Sequence, residues 1–381
     1  MLYPFLVRRS LTYTTAVLLA AAYFGCGGSG YSPPPPGSPP PSPSLASAID
    51  GLARQQTQQY GVPAMTIALA KRGTMLYVQA YGVTNRVNQT SAQSSTIFEI
   101  GSITKQFTAA LIMQLVEQGK LHLDDSMSSY LPPYGFASTI TIRMLLNHTS
   151  GLPDFTNFPQ LGDWVRNGVS EATVLTAISQ AGLQFQPGTQ YSYSNSGFFA
   201  LGTIIEHLTN QSYAAHLQQN ILNPLLLSST YYDLPPAERS AMGYTSNGSS
   251  LVPAVVWDRS AAFAAGALSS NVFDLVTWDN DLISGKVVSA ASFQQMITSN
   301  GFAIDSRGGS YGFGLALATY NGRQIIWHSG QIGGFFTENV VFLDDGFTLV
   351  VLTNDQDVAT DPFVFKILDA VCNSTQLKSN C

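Results

Sequence analysis

Two residues near position 100 have the types and spacing of a nucleophile and its base. Ser102 and Lys105 are three residues apart, which on a helix places both side chains on one face about one turn apart. A serine hydroxyl is a weak nucleophile until a base takes its proton, and a desolvated, neutral lysine can be that base. The pair therefore predicts nucleophilic catalysis. A serine that only caps a helix, followed by a solvated lysine, would produce the same spacing.

A helix is predicted to begin at this pair. Apolar residues recur after it at helical spacing and the pattern stops at a glycine; these positions are Ile103, Phe107, Leu111, Leu115 and Gly119. The N-terminus of such a helix directs backbone N–H groups and positive potential towards Ser102. That arrangement would stabilise an oxyanion formed by the serine's attack.

Two further motifs have residues suited to acyl transfer. Tyr193 and Asn195 form a Tyr-x-Asn, and His328 and Gly330 form a His-x-Gly at the end of a predicted strand. Taken singly, Tyr193 is typical of a half-buried core tyrosine and His328 of a satisfied histidine at a strand edge. Their combination with Ser102 is what favours function.

The three motifs, in this order and with these gaps, resemble the serine β-lactamase and penicillin-binding-protein superfamily. They are most similar to its class C β-lactamase-like branch, which also contains D-peptidases and esterases. The segments 145–153 and 264–270 match stretches usual in that branch, and the resemblance extends over about residues 45–372.

The resemblance implies roles for the residues of the first two motifs. Ser102 would be the acylated nucleophile and Lys105 its partner in proton transfer. Tyr193 would share the general acid–base work, with its phenol between Lys105 and the leaving group. Asn195 would hydrogen-bond to Lys105 and to the acyl-side amide of the substrate.

The third motif is expected to form the opposite side of the cleft. His328, Ser329 and Gly330 would bind a substrate carboxylate or shape that side. The backbone N–H groups of Ser102 and Gln331 would form the oxyanion hole, the largest electrostatic contribution expected in acyl transfer. No metal or other cofactor is expected, since His122, His207 and His216 lack ligand spacing.

Two other candidate residues are given no catalytic role. His148 lies in the 145–153 segment and is expected to make structural hydrogen bonds. Ser310 is the serine of a Gly-x-Ser-x-Gly, the nucleophile elbow of α/β-hydrolases, but that elbow needs a helix after it. Here a strand is predicted to follow, so a glycine-rich turn explains the match.

The composition excludes some classes of protein. Of the 381 residues, 45% are hydrophobic and only 10% charged, which excludes a disordered chain. The net charge is −6 and no basic run is present, which argues against nucleic-acid binding. The expected partner is a small-molecule or peptide substrate, and a monomer is expected.

The N-terminus indicates export. Residues 1–26 read as an export signal, with an apolar stretch too short for a permanent membrane span. Cys26 suits a bacterial lipoprotein signal, which would anchor the chain to a membrane; ordinary cleavage is the alternative. Residues 27–44 are rich in Gly, Ser and Pro and predict a semi-rigid linker. The expected location is the bacterial periplasm or cell surface, or otherwise secretion, where Cys372 and Cys381 could close a disulfide loop.

The fold class predicted is α/β of the α+β type: an antiparallel sheet built from both chain ends and flanked by helices, with an inserted, mostly helical lobe. The hydrolase domain would cover 45–381, with an α/β lobe at 45–120 and 301–381 and a helical lobe at 121–300. Strand-like runs, and a final helix at 363–372, flank the helical middle; the runs are 65–70, 75–81, 313–319, 324–328, 335–342 and 347–353.

The function expected is a serine hydrolase that works through a Ser102 acyl-enzyme. His328 stands where β-lactamases carry a lysine, and a histidine is mostly neutral at pH 7. This substitution favours a D-amino-acid peptidase or carboxypeptidase, or an esterase. A class C-like β-lactamase is one alternative, and an inactive, surface-anchored binding protein of the same fold is the other.

Overall fold

A computed structural model describes residues 44–306, 308–358 and 361–374. The predicted export signal, Cys26, most of the linker and Cys381 lie outside the described residues. The expectations of export, lipidation and a Cys372–Cys381 bridge therefore stay predictions, as do the lobe boundaries.

The centre of the molecule is an eight-stranded antiparallel sheet built from both ends of the chain. Numbered in chain order, its strands run β3-β2-β1-β12-β11-β10-β9-β8 across the sheet. Their bounds are β1 Ala64–Lys71, β2 Thr74–Asn85, β3 Thr90–Ser91, β8 Ser310–Tyr311, β9 Ala316–Tyr320, β10 Arg323–Ile332, β11 Phe335–Phe342 and β12 Phe347–Thr353. Two small two-stranded sheets lie outside it: β4 Phe98–Glu99 with β7 Ser269–Ser270, and β5 Tyr244–Ser246 with β6 Leu251–Pro253.

Helices cover both faces of the large sheet. Their bounds are α1 Leu45–Gln59, α2 Thr104–Glu117, α3 Ile142–Leu146, α4 Leu161–Asn167, α5 Glu171–Ala181, α6 Asn195–Thr209, α7 Tyr213–Leu217, α8 Arg259–Gly266, α9 Val272–Ile283, α10 Ala290–Met296 and α11 Asp361–Asn373. None of the described helices is both long enough and apolar enough to cross a membrane.

The sheet separates two apolar cores because side chains of a strand alternate between its faces. On β1, Ile67 and Leu69 pack with Ile367 of α11 in the smaller core, which also includes residues of α1. Ala68 and Ala70 face the larger core, which contains α2 and the helices from the middle of the chain. The strand is buried on both sides, which explains its continuous apolar sequence.

Helix α2 is the element that positions the candidate site. Nearly every residue from Thr104 to Leu115 is buried, so the helix is surrounded by protein rather than lying on the surface. A helix that is apolar on all sides is stable only in such a position. The first turn of α2 is therefore held rigidly.

The predicted fold class is confirmed, while three strand boundaries were wrong by three or four residues. The strand expected at 75–81 continues to Asn85, where it pairs with β3. The strand expected at 313–319 begins only at Ala316, since Gly314 adopts a φ of +69° and its missing Cβ would lie 2.5 Å from the Lys105 carbonyl oxygen. The strand expected to end at His328 continues to Ile332, because Ser329 and Gln331 pair with β11.

Candidate active site

Ser102 and Lys105 meet at the start of α2, as their spacing predicts. Ser102 lies in a 3₁₀ turn, Gly101–Ile103, that leads directly into the helix. The Lys105 ammonium nitrogen is 3.0 Å from the Ser102 hydroxyl oxygen. Lys105 is completely buried, whereas Ser102 is half-buried and borders a cavity. The interpretation of this lysine as a solvated residue is thereby excluded.

The three hydrogen-bond partners of Lys105 determine where its lone pair points. Its Nζ lies 2.7 Å from Asn195 Oδ1, 2.7 Å from the Ala265 carbonyl oxygen and 3.0 Å from Ser102 Oγ. A neutral amine has two hydrogens and one lone pair. The amide and carbonyl oxygens can only accept, so they take the two hydrogens. The lone pair is left facing Ser102, the one partner that can donate a proton.

Burial also gives Lys105 the proton affinity of a base that works near neutrality. Desolvation lowers the pKa of Lys105 to about 7, and the nearby carboxylate of Asp154 opposes that shift. A substantial fraction of the lysine is therefore neutral at pH 7.

A backbone kink in α8 supplies the carbonyl that Lys105 uses. Phe263 has φ 42° and ψ −138° inside the helix, a conformation that a bulky residue rarely adopts. The next two carbonyls accept hydrogen bonds from α2, Ala264 from Thr108 and Ala265 from Lys105, both at 2.7 Å. The kink thus turns this part of the 264–270 segment towards α2.

Tyr193 lies beside Ser102 and Lys105. The Lys105 nitrogen is 4.9 Å from the centre of the Tyr193 ring. Burial raises the pKa of Tyr193 well above its usual 10, although a hydrogen bond with Ser102 works in the opposite direction. Tyr193 is consequently a neutral phenol at pH 7, able to pass on a proton while accepting another.

His148 holds the backbone on both sides of Tyr193. Its carbonyl oxygen accepts from the Ser192 N–H at 3.0 Å, and its Nδ1 accepts from the Ser194 N–H at 3.2 Å. The centres of the His148 imidazole ring and the Tyr193 phenol ring are 4.3 Å apart. Burial lowers the pKa of His148 well below its usual value, so the ring is neutral. These contacts agree with the structural role expected from the sequence.

The backbone of Ser102 lies directly against β10, as an oxyanion hole would require. A Cβ on Gly330 would lie 1.9 Å from the Ile100 carbonyl oxygen, and one on Gly101 would lie 2.8 Å from the Gln331 nitrogen. The Thr337 hydroxyl is within 3.3 Å of the carbonyl oxygens of Ile100 and Gly330. Only glycines allow this approach, which brings Gly101, the residue before Ser102, against the backbone of Gln331.

His328 is turned into the protein. Its Nδ1 lies 2.6 Å from the Ser329 carbonyl oxygen, which can only accept, so this nitrogen carries the hydrogen. Its Nε2 lies 2.7 Å from the Tyr311 hydroxyl, which therefore donates. Burial lowers the pKa of His328 to about 3. The residue is only 5% exposed and neutral, so it offers no positive charge.

A cavity that is open to solvent lies in front of Ser102. Its lining is mixed, with the polar residues Thr156, Asn195 and Gln331 and the apolar residues Phe155, Trp257 and Ile332 among those around Ser102. None of the described residues that line it is cationic.

Comparison with known proteins places this geometry in a family. The sequence profile of the Beta-lactamase family matches residues 49–366. The chain belongs to the Beta-lactamase family. It is 30% identical over 315 residues to penicillin-binding protein 4* of Bacillus subtilis, a match that covers 77% of this chain and 68% of that protein.

Other similarities are more distant. Protein flp of Staphylococcus aureus is 26% identical over 320 residues, covering 80% of this chain; the chain spans 62% of the length of that relative. The solved structure of D-amino acid amidase from Ochrobactrum anthropi superposes with a TM-score of 0.78 at 28% identity, covering 87% of this chain and 99% of the amidase.

Ser310, the other candidate serine, lies in the surroundings that the sequence predicted. Ser310 begins β8 and is followed by another strand, β9, rather than by a helix. The glycine-rich turn is therefore not a nucleophile elbow.

Sequence reasoning missed several contacts of this Beta-lactamase-family site. Asp154 accepts from Asn195, Tyr311 donates to His328, and Thr337 bridges the two backbone segments. Asp154 directly follows the recognised 145–153 segment, and Tyr311 lies inside the rejected elbow motif. Proximity to these motifs was the only sequence signal for either residue.

Proposed function

We propose that this chain hydrolyses amides or esters of D-amino acids through an acyl-enzyme on Ser102. The observation that carries the proposal is the completely buried Lys105, whose Nζ lies 3.0 Å from the Ser102 hydroxyl oxygen. A non-catalytic relative would not need a desolvated lysine there, since burying an ionisable group costs stability.

The reaction consists of two acyl transfers. Ser102 Oγ attacks the substrate carbonyl carbon while its proton passes to Lys105, and the oxyanion is held by the backbone N–H groups of Ser102 and Gln331. A proton then passes through Tyr193 to the leaving nitrogen or oxygen, the bond from carbon to that atom breaks, and an ester to Ser102 remains. Water attacks this ester, gives one proton back to Ser102 through the same groups, and releases the acid.

The neutral state of the buried His328 favours substrates without a carboxylate on that side of the site. A penicillin or a carboxypeptidase substrate carries a carboxylate that would gain from a permanent positive charge. His328 is neutral, and the described lining residues supply no cation in its place. The similarity to a D-amino acid amidase agrees with an amide substrate. The carboxypeptidase and class C-like β-lactamase alternatives are therefore less favoured.

The test compares three substrates with the purified full chain and its Ser102→Ala variant. D-phenylalanine amide, a p-nitrophenyl ester of a short acid and a chromogenic cephalosporin would be followed side by side. Ser102-dependent turnover of the amide or ester, with little cephalosporin turnover, is expected. Fast, Ser102-dependent cephalosporin turnover would contradict the substrate assignment, and no turnover of any of the three would favour the non-catalytic alternative.

A further inference from the structure

Asp154 is a half-buried carboxylate placed directly behind the candidate catalytic residues. It begins the short 3₁₀ turn Phe155–Asn157, where its Oδ1 accepts from the Thr156 N–H at 3.1 Å. Both of its oxygens also accept from the Asn195 Nδ2, at 3.0 and 3.3 Å. The turn thus fixes the carboxylate, and the carboxylate in turn holds the Asn195 side chain.

The contact with Asp154 decides which way the Asn195 amide faces. A carboxylate can only accept, so the NH₂ group must point towards Asp154 and the Oδ1 towards Lys105. In the opposite orientation the NH₂ group would face Lys105 and donate to its lone pair. That lone pair would then no longer be available for the Ser102 proton.

We propose that Asp154 is a positioning residue for proton transfer: by fixing the Asn195 amide, it directs the Lys105 lone pair to Ser102. This inference rests on the proposed acyl-enzyme function and adds to it a residue that contacts neither the cavity nor the reacting atoms. One of the two Asn195 amide hydrogens remains for the acyl-side amide of a substrate.

Electrostatics give Asp154 a second effect on the same lysine. Its charge raises the pKa of Lys105 against the larger, opposite effect of burial. The other titratable groups around Lys105 are Tyr193, His148 and His328. All three are neutral near pH 7, since burial raises the pKa of the tyrosine and lowers those of the histidines. Asp154 is therefore the charged group, among the described residues, that acts on this base.

The simpler interpretation is that Asp154 only caps its turn. The Asp154→Asn variant distinguishes the capping role from the positioning role. Asparagine caps a turn as well as aspartate does, but it can also donate a hydrogen bond and carries no charge. Asp163→Asn is the matched control, since Asp163 is an exposed carboxylate on neighbouring α4 whose partner is Asn167.

The experiment is a pH profile of kcat/KM for the wild-type chain and both variants with D-phenylalanine amide. In Asp154→Asn the plateau should fall about tenfold or more, because the base is misdirected. The acidic limb should move by about half a pH unit to lower pH, because a negative charge near Lys105 is lost. Asp163→Asn should match the wild type. An Asp154→Asn profile with the wild-type limb and plateau would overturn the proposal.

A double-mutant cycle tests whether Asp154 acts through Asn195. In an Asn195→Ala background, Asp154→Asn should lower the plateau far less than in the wild-type background. Equal losses in both backgrounds would show that Asp154 acts by another route and would contradict the proposal.

A measurement without substrate separates this inference from the proposed function. NMR of ¹³C-labelled lysine, with Lys105→Arg to assign the signal, reports the titration of Lys105 directly. The Lys105 signal should titrate at lower pH in Asp154→Asn than in the wild type. Should turnover be absent in the wild type, the proposed function fails while this measurement still decides the electrostatic part. An unchanged titration would contradict it.

Discussion

The two sides of the cleft each contain one fully buried base, and the two bases behave differently. Lys105 has an anion, Asp154, close enough to offset part of its desolvation, and its pKa lies at about 7. Among the described residues, His328 hydrogen-bonds to the neutral Tyr311 and to a backbone carbonyl, and the charge of Lys105 adds to the effect of burial; its pKa lies at about 3. Burial lowers both pKa values by a similar amount, from 10.5 to about 7 for Lys105 and from 6.5 to about 3 for His328, so only the amine, which starts higher, titrates near neutrality. Lys105 is thus suited to proton transfer, whereas His328 stays neutral.

The largest expected effect comes from removing the nucleophile on the Lys105 side. Ser102→Ala should lower turnover about 10⁴-fold or more, because the remaining residues can bind but not form an ester. Steady-state rates with the best of the three substrates would measure it. Wild-type-like turnover would contradict the assignment of Ser102.

Tyr193→Phe should have the next largest effect. The substitution keeps the ring beside Lys105 and removes the hydroxyl that would pass the proton, so kcat should fall about 10²- to 10³-fold. Thermal unfolding of the variant serves as the control for folding. A rate within a fewfold of the wild type would exclude a role in proton transfer.

The acidic limb of the pH profile, where the rate rises with pH, tests which of the two buried bases, Lys105 or His328, titrates. The rate should rise with pH through about 7, where Lys105 loses its proton, and no fall is expected from Tyr193 below pH 10, because burial raises its pKa. His328→Gln should change the rate but leave the midpoint of this limb in place. A limb that vanishes in His328→Gln would mean that the histidine titrates, contrary to its burial.

A third buried group extends the comparison to a site outside the cleft. Asp279 on α9 accepts from the Asn339 amide at 2.8 Å, and burial raises its pKa to about 8. The folded protein then holds a proton that the unfolded chain releases above about pH 4, so stability should fall as pH rises from about 4 towards 8. Asp279→Asn should weaken that dependence.

Urea unfolding of the wild type and Asp279→Asn at pH 5 and pH 8 would measure this smallest effect. The difference in unfolding free energy between the two pH values should be smaller in the variant. An identical difference in both proteins would show that Asp279 is charged in the fold.

Local sequence patterns predicted the elements and the central pair, since both depend on short spacings. The helical periodicity after Ser102 placed Lys105 on the correct face, and alternating apolar runs at both chain ends predicted the sheet. The partners of these residues depend on tertiary contacts that no local pattern encodes. Asp154 reaches Asn195 across 41 residues, and Tyr311 reaches His328 across 17.

The same dependence on tertiary contacts explains why the prediction ended β10 at His328, whereas the strand continues to Ile332. Ser329, Gly330 and Gln331 have low strand propensity, and their pairing with Glu338, Thr337 and Phe336 of β11 keeps them in the sheet. This extension places the Gln331 backbone against Gly101, the residue before Ser102. A prediction from propensity alone therefore ended the strand just before its functional part.

Covalent labelling with a fluorophosphonate tests the central claim most directly, because it needs no knowledge of the substrate. Intact mass spectrometry, followed by peptide mapping, would be applied to the wild type, Ser102→Ala and Ser310→Ala. One adduct on the peptide containing Ser102, absent in Ser102→Ala and retained in Ser310→Ala, is the predicted result. An adduct on Ser310, or no adduct on the folded wild type, would contradict a Lys105-activated Ser102 as the nucleophile.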